Sequence, residues 1–136
     1  MKVSESIAMR SIRKVIVHSS GHSGDDFRKI EKRHLNHGLT RIGFHYVIAE
    51  DGRLSRGRPI RESGAHCLGY NSDSVGICLC GSGVLTERQM KKLHGLMRRL
   101  KRRFPRAEIF RVGDLDPWAH DRLILDTKSL LEARPL

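Results

Sequence analysis

His18 ends the run Val15-Ile16-Val17, and a small polar loop, Ser19-Ser20-Gly21, follows it. An imidazole at the end of an apolar strand has two uses. It is a hydrogen-bonded, inert part of the core, or it is a metal ligand or acid–base group at the lip of a sheet, where open α/β folds place ligands. On this stretch alone the inert use is expected. Cys78 and Cys80 stand two apart on one apolar segment, so they point the same way and are poorly placed to bridge each other. With Cys67 they make an odd set of three, expected to be reduced, buried thiols. A C-x-C pair can bind metal, but there is no second pair to complete a zinc ribbon. Among the other histidines, His45 is expected to be structural, His34 and His37 to be surface or partly packed, and His94 to be peripheral.

The elements that must position these groups follow from local patterning. Residues 14–18 read as a strand by their β-branched content, and residues 43–49 and 74–81 read as further strands. Glu50-Asp51-Gly52 makes a turn, after which "RLSRGRPI" returns as a shorter strand. Residues 25–37 carry Phe27, Ile30 and Leu35 at near-helical spacing, with acids at the start and Gly38 as a stop. The clearest helix follows Thr86, which forms a capping-box pattern with Gln89. Met90, Leu93, Met97, Leu100 and Phe104 make its apolar stripe, and Pro105 ends it. Residues 108–112 read as a strand and 128–133 as a short terminal helix. Strands alternating with helices predict a single α/β domain, a central mixed β-sheet flanked by helices, over residues 12–136, with residues 1–11 as a polar arm.

The chain of 136 residues suits one core. It lacks an apolar run near the roughly 20 residues that span a bilayer, so no membrane partner is expected. Its first residues lack the pattern of a secretory leader, so a cytoplasmic location is expected, that of the bacterial host if the chain is phage-encoded. A net charge of +11 implies an anionic partner. The charge clusters on the polar face of the long helix, from Lys91 to Arg103, and on Arg53, Arg56, Arg58 and Arg61. A solvated outer face is the plain alternative for the helix. No helix–turn–helix or RNA-binding signature is present, so sequence-specific nucleic-acid binding is not expected.

Residues 64–81 read "GAHCLGYNSDSVGICLCG". This resembles the type 2 N-acetylmuramoyl-L-alanine amidase family, whose fold is shared by phage amidase lysozymes and peptidoglycan recognition proteins. Gly64, His66, Gly69, Asn71, Ser74, Gly76, Ile77, Leu79 and Gly81 carry the match. The likeness extends to "VIVHSS", to "IEKRHLNHGLTRIGFHY" and to the hairpin that follows, covering about residues 12–126. It implies a zinc hydrolase that cuts the amide between N-acetylmuramic acid and the L-alanine of the stem peptide. Two His and one Cys would hold the zinc, and a Tyr and a Lys would assist.

Position by position, the resemblance leaves the catalytic set incomplete. His18 matches the first ligand, but Val112 stands at the second and His120 at or near the third, the cysteine. Phe44 replaces the assisting Tyr, and Trp118 stands near the Lys. A site on His18 and His120 would need Asp114, Asp121 or His22 to complete it. The expected function is therefore a binding protein on a degenerate amidase scaffold, with no cofactor, capturing an anionic small ligand such as a nucleotide signal or a peptidoglycan fragment. His18, Phe44, Arg58, Arg61, His66, Tyr70, Asn71, Trp118 and His120 are its expected ligand-binding residues. Two alternatives stand beside it. One is an active amidase with a remodelled zinc site. The other is a regulator that binds a host protein, for example a polymerase.

Overall fold

The computed structural model describes residues 10–132. Residues 1–9 of the expected 1–11 arm and the last residue expected in the terminal helix lie outside them. Five strands form one sheet: β1 (Lys14–Ser19), β2 (Tyr46–Ile48), β3 (Leu54–Arg56), β4 (Ser74–Leu79) and β5 (Glu108–Arg111), in the order β3-β2-β4-β1-β5. β1 lies parallel to both β4 and β5, and β2 is parallel to β4 and antiparallel to β3. The expected mixed α/β sheet is what forms. Helices α1 (Phe27–Asn36), α2 (Glu87–Arg103), α3 (Val112–Leu115) and α4 (Ser129–Glu132), with two 3-10 turns at Asn71–Asp73 and Pro117–Ala119, complete the described elements.

Side-chain alternation along β1 divides the molecule. Val15 and Val17 join Ile48, Ile77 and Leu79 against Leu93, Leu96, Met97 and Leu100 of α2. Val47, Cys78 and Phe44 lie with Ile30 of α1 in a second cluster, and Ile16 packs with Cys67 and Val112 in a third. The two long helices thus cover opposite faces, and His18 shares the Ile16 side of β1.

α2 begins as its sequence predicts. Thr86 Oγ1 accepts from Gln89 N, and Gln89 Oε1 accepts from Thr86 N. The buried Gln89 also donates from Nε2 to the Ile48 and Cys80 carbonyls at 3.2 and 2.8 Å. These bonds tie the first turn of the helix to the ends of β2 and β4. The expected strand over 43–49 is regular only from Tyr46. Gly43 explains the shortening: a Cβ there would stand 2.1 Å from the Ala65 carbonyl oxygen, so the backbones touch and the ladder bends. Phe44 and His45 instead accept from Arg58 N and Gly57 N, both at 2.9 Å.

Candidate functional site

At the carboxyl end of β1, His18 is 6% exposed. Its Nε2 lies 2.9 Å from Nδ1 of His66, and Nε2 of His66 lies 3.2 Å from Ser74 Oγ. The Phe44 ring meets His18 edge-on, with centroids 4.9 Å apart. Burial, and next the neighbouring His34, push the His18 imidazole down to about 3. Burial, then His18, His45 and two arginines, push His66 to about 2. Both rings are therefore neutral, with one N–H shared across the 2.9 Å contact.

His45 is buried one strand away, and its tautomer follows from its partners. Nδ1 accepts from Gly76 N at 3.0 Å, so Nε2 carries the proton and donates to the Glu62 carbonyl at 2.7 Å. Asn71 Oδ1 accepts from both His66 N and Cys67 N at 2.9 Å, closing the loop that carries His66. Arg58 donates to the Ile42 and Ser63 carbonyls. These three side chains hold the hairpin and the 64–73 loop in place. Arg61 is exposed, and the Tyr70 ring lies under Lys14 Nζ.

Beyond β5 the chain turns through α3 into Pro117–Ala119. Val112 is 4% exposed among Ile16 and Cys67, with Tyr70, Leu115 and Ala119 packed on it. Trp118 is 82% exposed. His120 is exposed and takes φ 53, the single non-glycine residue with positive φ among the described residues. Asp121 is already occupied: it accepts from Ser19 N and Ser19 Oγ at 2.9 and 3.0 Å and from Leu123 N at 2.8 Å. Asp114 pairs with Arg111 at 2.7 Å, which holds its carboxyl below the ordinary range. A cavity of about 380 Å³ opens here, lined by Arg111, Gly113, Asp114, Pro117, His120, Asp121 and Leu123.

The donor atoms near this cavity do not assemble into a metal site. Among the described residues, no group of three or more His, Cys, Asp or Glu side chains is placed to hold a metal ion. His18 and His120, the two ligands suggested by the sequence, differ in setting: one ring is buried against His66 and the other lines the open cavity. All three cysteines are free and buried. Burial raises the thiols of Cys78 and Cys80, the latter to about 12, which opposes the thiolate that metal binding needs.

Sequence reasoning did not find Arg10, whose guanidinium donates to the carbonyls of Ile60, Asn71 and Ser72 and so clasps the His66 loop. It also did not single out Ser74 as the partner of His66, although Ser74 belongs to the matched motif.

Comparison with known proteins places the fold and the family. The family model for N-acetylmuramoyl-L-alanine amidase matches residues 8–128. The chain is 35% identical over 100 residues to the endolysin of Enterobacteria phage K11, covering 68% of this chain and 66% of that protein, just under two thirds. Its fold is similar to that of the amidase LysC from Clostridium intestinale, with TM-score 0.82, 25% identity and coverage of 89% and 83% of the two chains. It is also similar in fold to the ectodomain complex of peptidoglycan recognition proteins LCa and LCx bound to tracheal cytotoxin, with TM-score 0.75, 22% identity and coverage of 88% and 80%. The chain belongs to the N-acetylmuramoyl-L-alanine amidase family.

Proposed function

We propose that this chain captures an anionic peptidoglycan fragment without cutting it, and that its site holds no zinc. The observation that carries this reading is the state of the three positions that the family resemblance assigns to the metal. The first, His18, is spent on His66. The second, Val112, lies in an apolar cluster and has no donor atom. The third, His120, faces an open cavity whose carboxylates are already bonded to Arg111, Ser19 and Leu123. The residues present do not fit the ion.

The surroundings suit a bound glycopeptide. The 64–73 loop and the segment after β5 meet over Ile16 and Val112. They carry Leu68 and Trp118, exposed at 92% and 82%, as apolar faces for sugar rings or peptide methylenes. His120, held in a left-handed conformation that a non-glycine residue adopts at some cost, supports a role for that ring at the cavity. Exposed Arg61 supplies a cation for stem-peptide carboxylates. The solved complex of the LCa and LCx ectodomains with tracheal cytotoxin adds a precedent for ligand capture on this fold.

The test is calorimetric titration with N-acetylmuramoyl-L-alanyl-D-isoglutamine, followed by mass spectrometry of the recovered ligand. Binding that Trp118→Ala weakens, with the ligand recovered whole, is the expected result. Release of the dipeptide overturns the non-hydrolytic reading. Binding of a cyclic dinucleotide with none of the muropeptide overturns the choice of ligand.

A further inference from the structure

A second cavity lies away from the His18 site, on the α2 side of the sheet. It measures about 700 Å³ and runs between the β2–β3 turn and α2. Its lining holds five cations, Arg53, Arg88, Lys91, Lys92 and Arg99, against one carboxylate, Asp51. All five cationic residues are exposed, and none of their side chains has a hydrogen bond or ion pair among the described residues. By contrast, Lys101 on the same helix donates to the Pro105 and Ala107 carbonyls.

The groove is held in shape. Thr86 Oγ1 donates to the Glu50 carbonyl at 2.7 Å, which fixes the turn to the start of α2. Gly52, at φ +89, lets the turn rest on the helix: a Cβ there would stand 3.0 Å from the Arg88 Cβ. Gly95 sits in the helix interior at the floor of the groove. Glycine is a poor helix former, yet nothing beyond its chain neighbours and the helix's own backbone lies within 4 Å of where its Cβ would stand. Packing does not require it there, and the missing side chain leaves the floor open. A second hollow, lined by Arg99, Arg102 and Arg103, continues the stripe along the helix. From Arg88 to Arg102 the stripe runs about 21 Å, the axial length of roughly six base pairs.

We propose that this cationic groove binds the phosphate backbone of duplex nucleic acid without reading its sequence. The length of the stripe favours a polymer over a single nucleotide. Three of the five lining cations are arginines, whose fork matches phosphate oxygens. No aromatic side chain lines the groove, so unpaired bases find no stacking platform and a duplex is favoured over a single strand. A lipid surface fits poorly: the groove is concave, and none of the exposed large apolar residues, Leu35, Leu68, Val84, Trp118 and Ile124, lines it.

Fluorescence anisotropy with a labelled mixed-sequence duplex of about 20 base pairs, a single strand of equal length, and phosphatidylglycerol vesicles tests this. Contacts from all five lining cations predict that duplex affinity falls roughly 500-fold between 50 and 200 mM salt. In R88Q/K92Q/R99Q the fall shrinks to roughly twelvefold. The control R13Q/K32Q/R106Q removes equal charge from positions outside the groove and keeps the wild-type salt dependence. Circular dichroism establishes that both variants fold. The proposal is overturned by absence of duplex binding at 50 mM salt, by tighter binding of the single strand, by binding of vesicles alone, or by equal loss in the control variant.

Discussion

Acidification tests the His18–His66 pair, and His66→Gln isolates its contribution. The ordinary imidazole pKa of 6.5 falls to about 3 for His18 and about 2 for His66 in the folded chain. Above pH 6.5 both rings are neutral whether the chain is folded or not, so the pair adds no pH dependence there. Below 6.5 the unfolded chain takes up protons that the folded chain refuses, and stability is lost until the folded values are reached. Among the described residues no carboxylate is hydrogen-bonded to either ring, and burial first, then the neighbouring His18, His45, Arg10 and Arg58, opposes a charge on His66. Each excluded proton costs about 1.4 kcal/mol per pH unit. Glutamine keeps polar atoms for His18 and Ser74 but does not titrate. The stability difference between wild type and His66→Gln should therefore be constant above pH 6.5 and shift against wild type by about 3 kcal/mol between pH 6.5 and 4.5. That is a large share of the roughly 5–15 kcal/mol of a small domain. Contributions from His34, His45 and the lowered carboxylates are common to both proteins and cancel. Urea denaturation at a series of pH values supplies the numbers. A difference that stays flat down to pH 4.5 would show that His66 protonates freely when folded, and the account of a closed imidazole pair would fall with it.

Two further perturbations probe what holds this pair and its sheet. Gly76→Ala would put a Cβ 2.5–2.6 Å from ring atoms of His66; about 2 kcal/mol of destabilisation is expected from overpacking, read as a lowered Tm, with NMR of the imidazole nitrogens showing the His18–His66 hydrogen bond broken. Gln89→Leu removes the bridge to the Ile48 and Cys80 carbonyls and one half of the α2 capping box, so a loss of about 2–3 kcal/mol is expected in urea denaturation; an unchanged midpoint would show that those carbonyls find other partners.

Local pattern carried most of the fold. The β-branched run before His18, the Thr86–Gln89 pair and Pro105 each act within a few residues, and β1 and α2 form where they point. Where a distant contact decides, local pattern is silent. β2 is shortened by the approach of Gly43 to Ala65, and α3 is a single turn that begins at Val112, the residue that reads as the end of a strand. The same divide runs through the candidate site. His18 and His66 stand out in the sequence as residues, but their hydrogen bond joins positions 48 apart. Arg10 reads as part of a polar arm, yet its bonds to backbone carbonyls reach 50 to 62 residues along the chain. Asn71 and Arg58 carry polar groups suited to a ligand, and folding commits them to backbone partners that no spacing rule reveals. Gln89 looks like an ordinary capping residue because its second role depends on two strands brought beside it.

The most direct test of the central claim is elemental analysis of the purified protein, exchanged free of chelator and offered zinc, for wild type and His18→Ala. The account predicts no stoichiometric zinc in either, because Val112 contributes no donor and His18 is held by His66. One zinc per chain in the wild type, absent from His18→Ala, would contradict it and restore a hydrolytic centre to this fold.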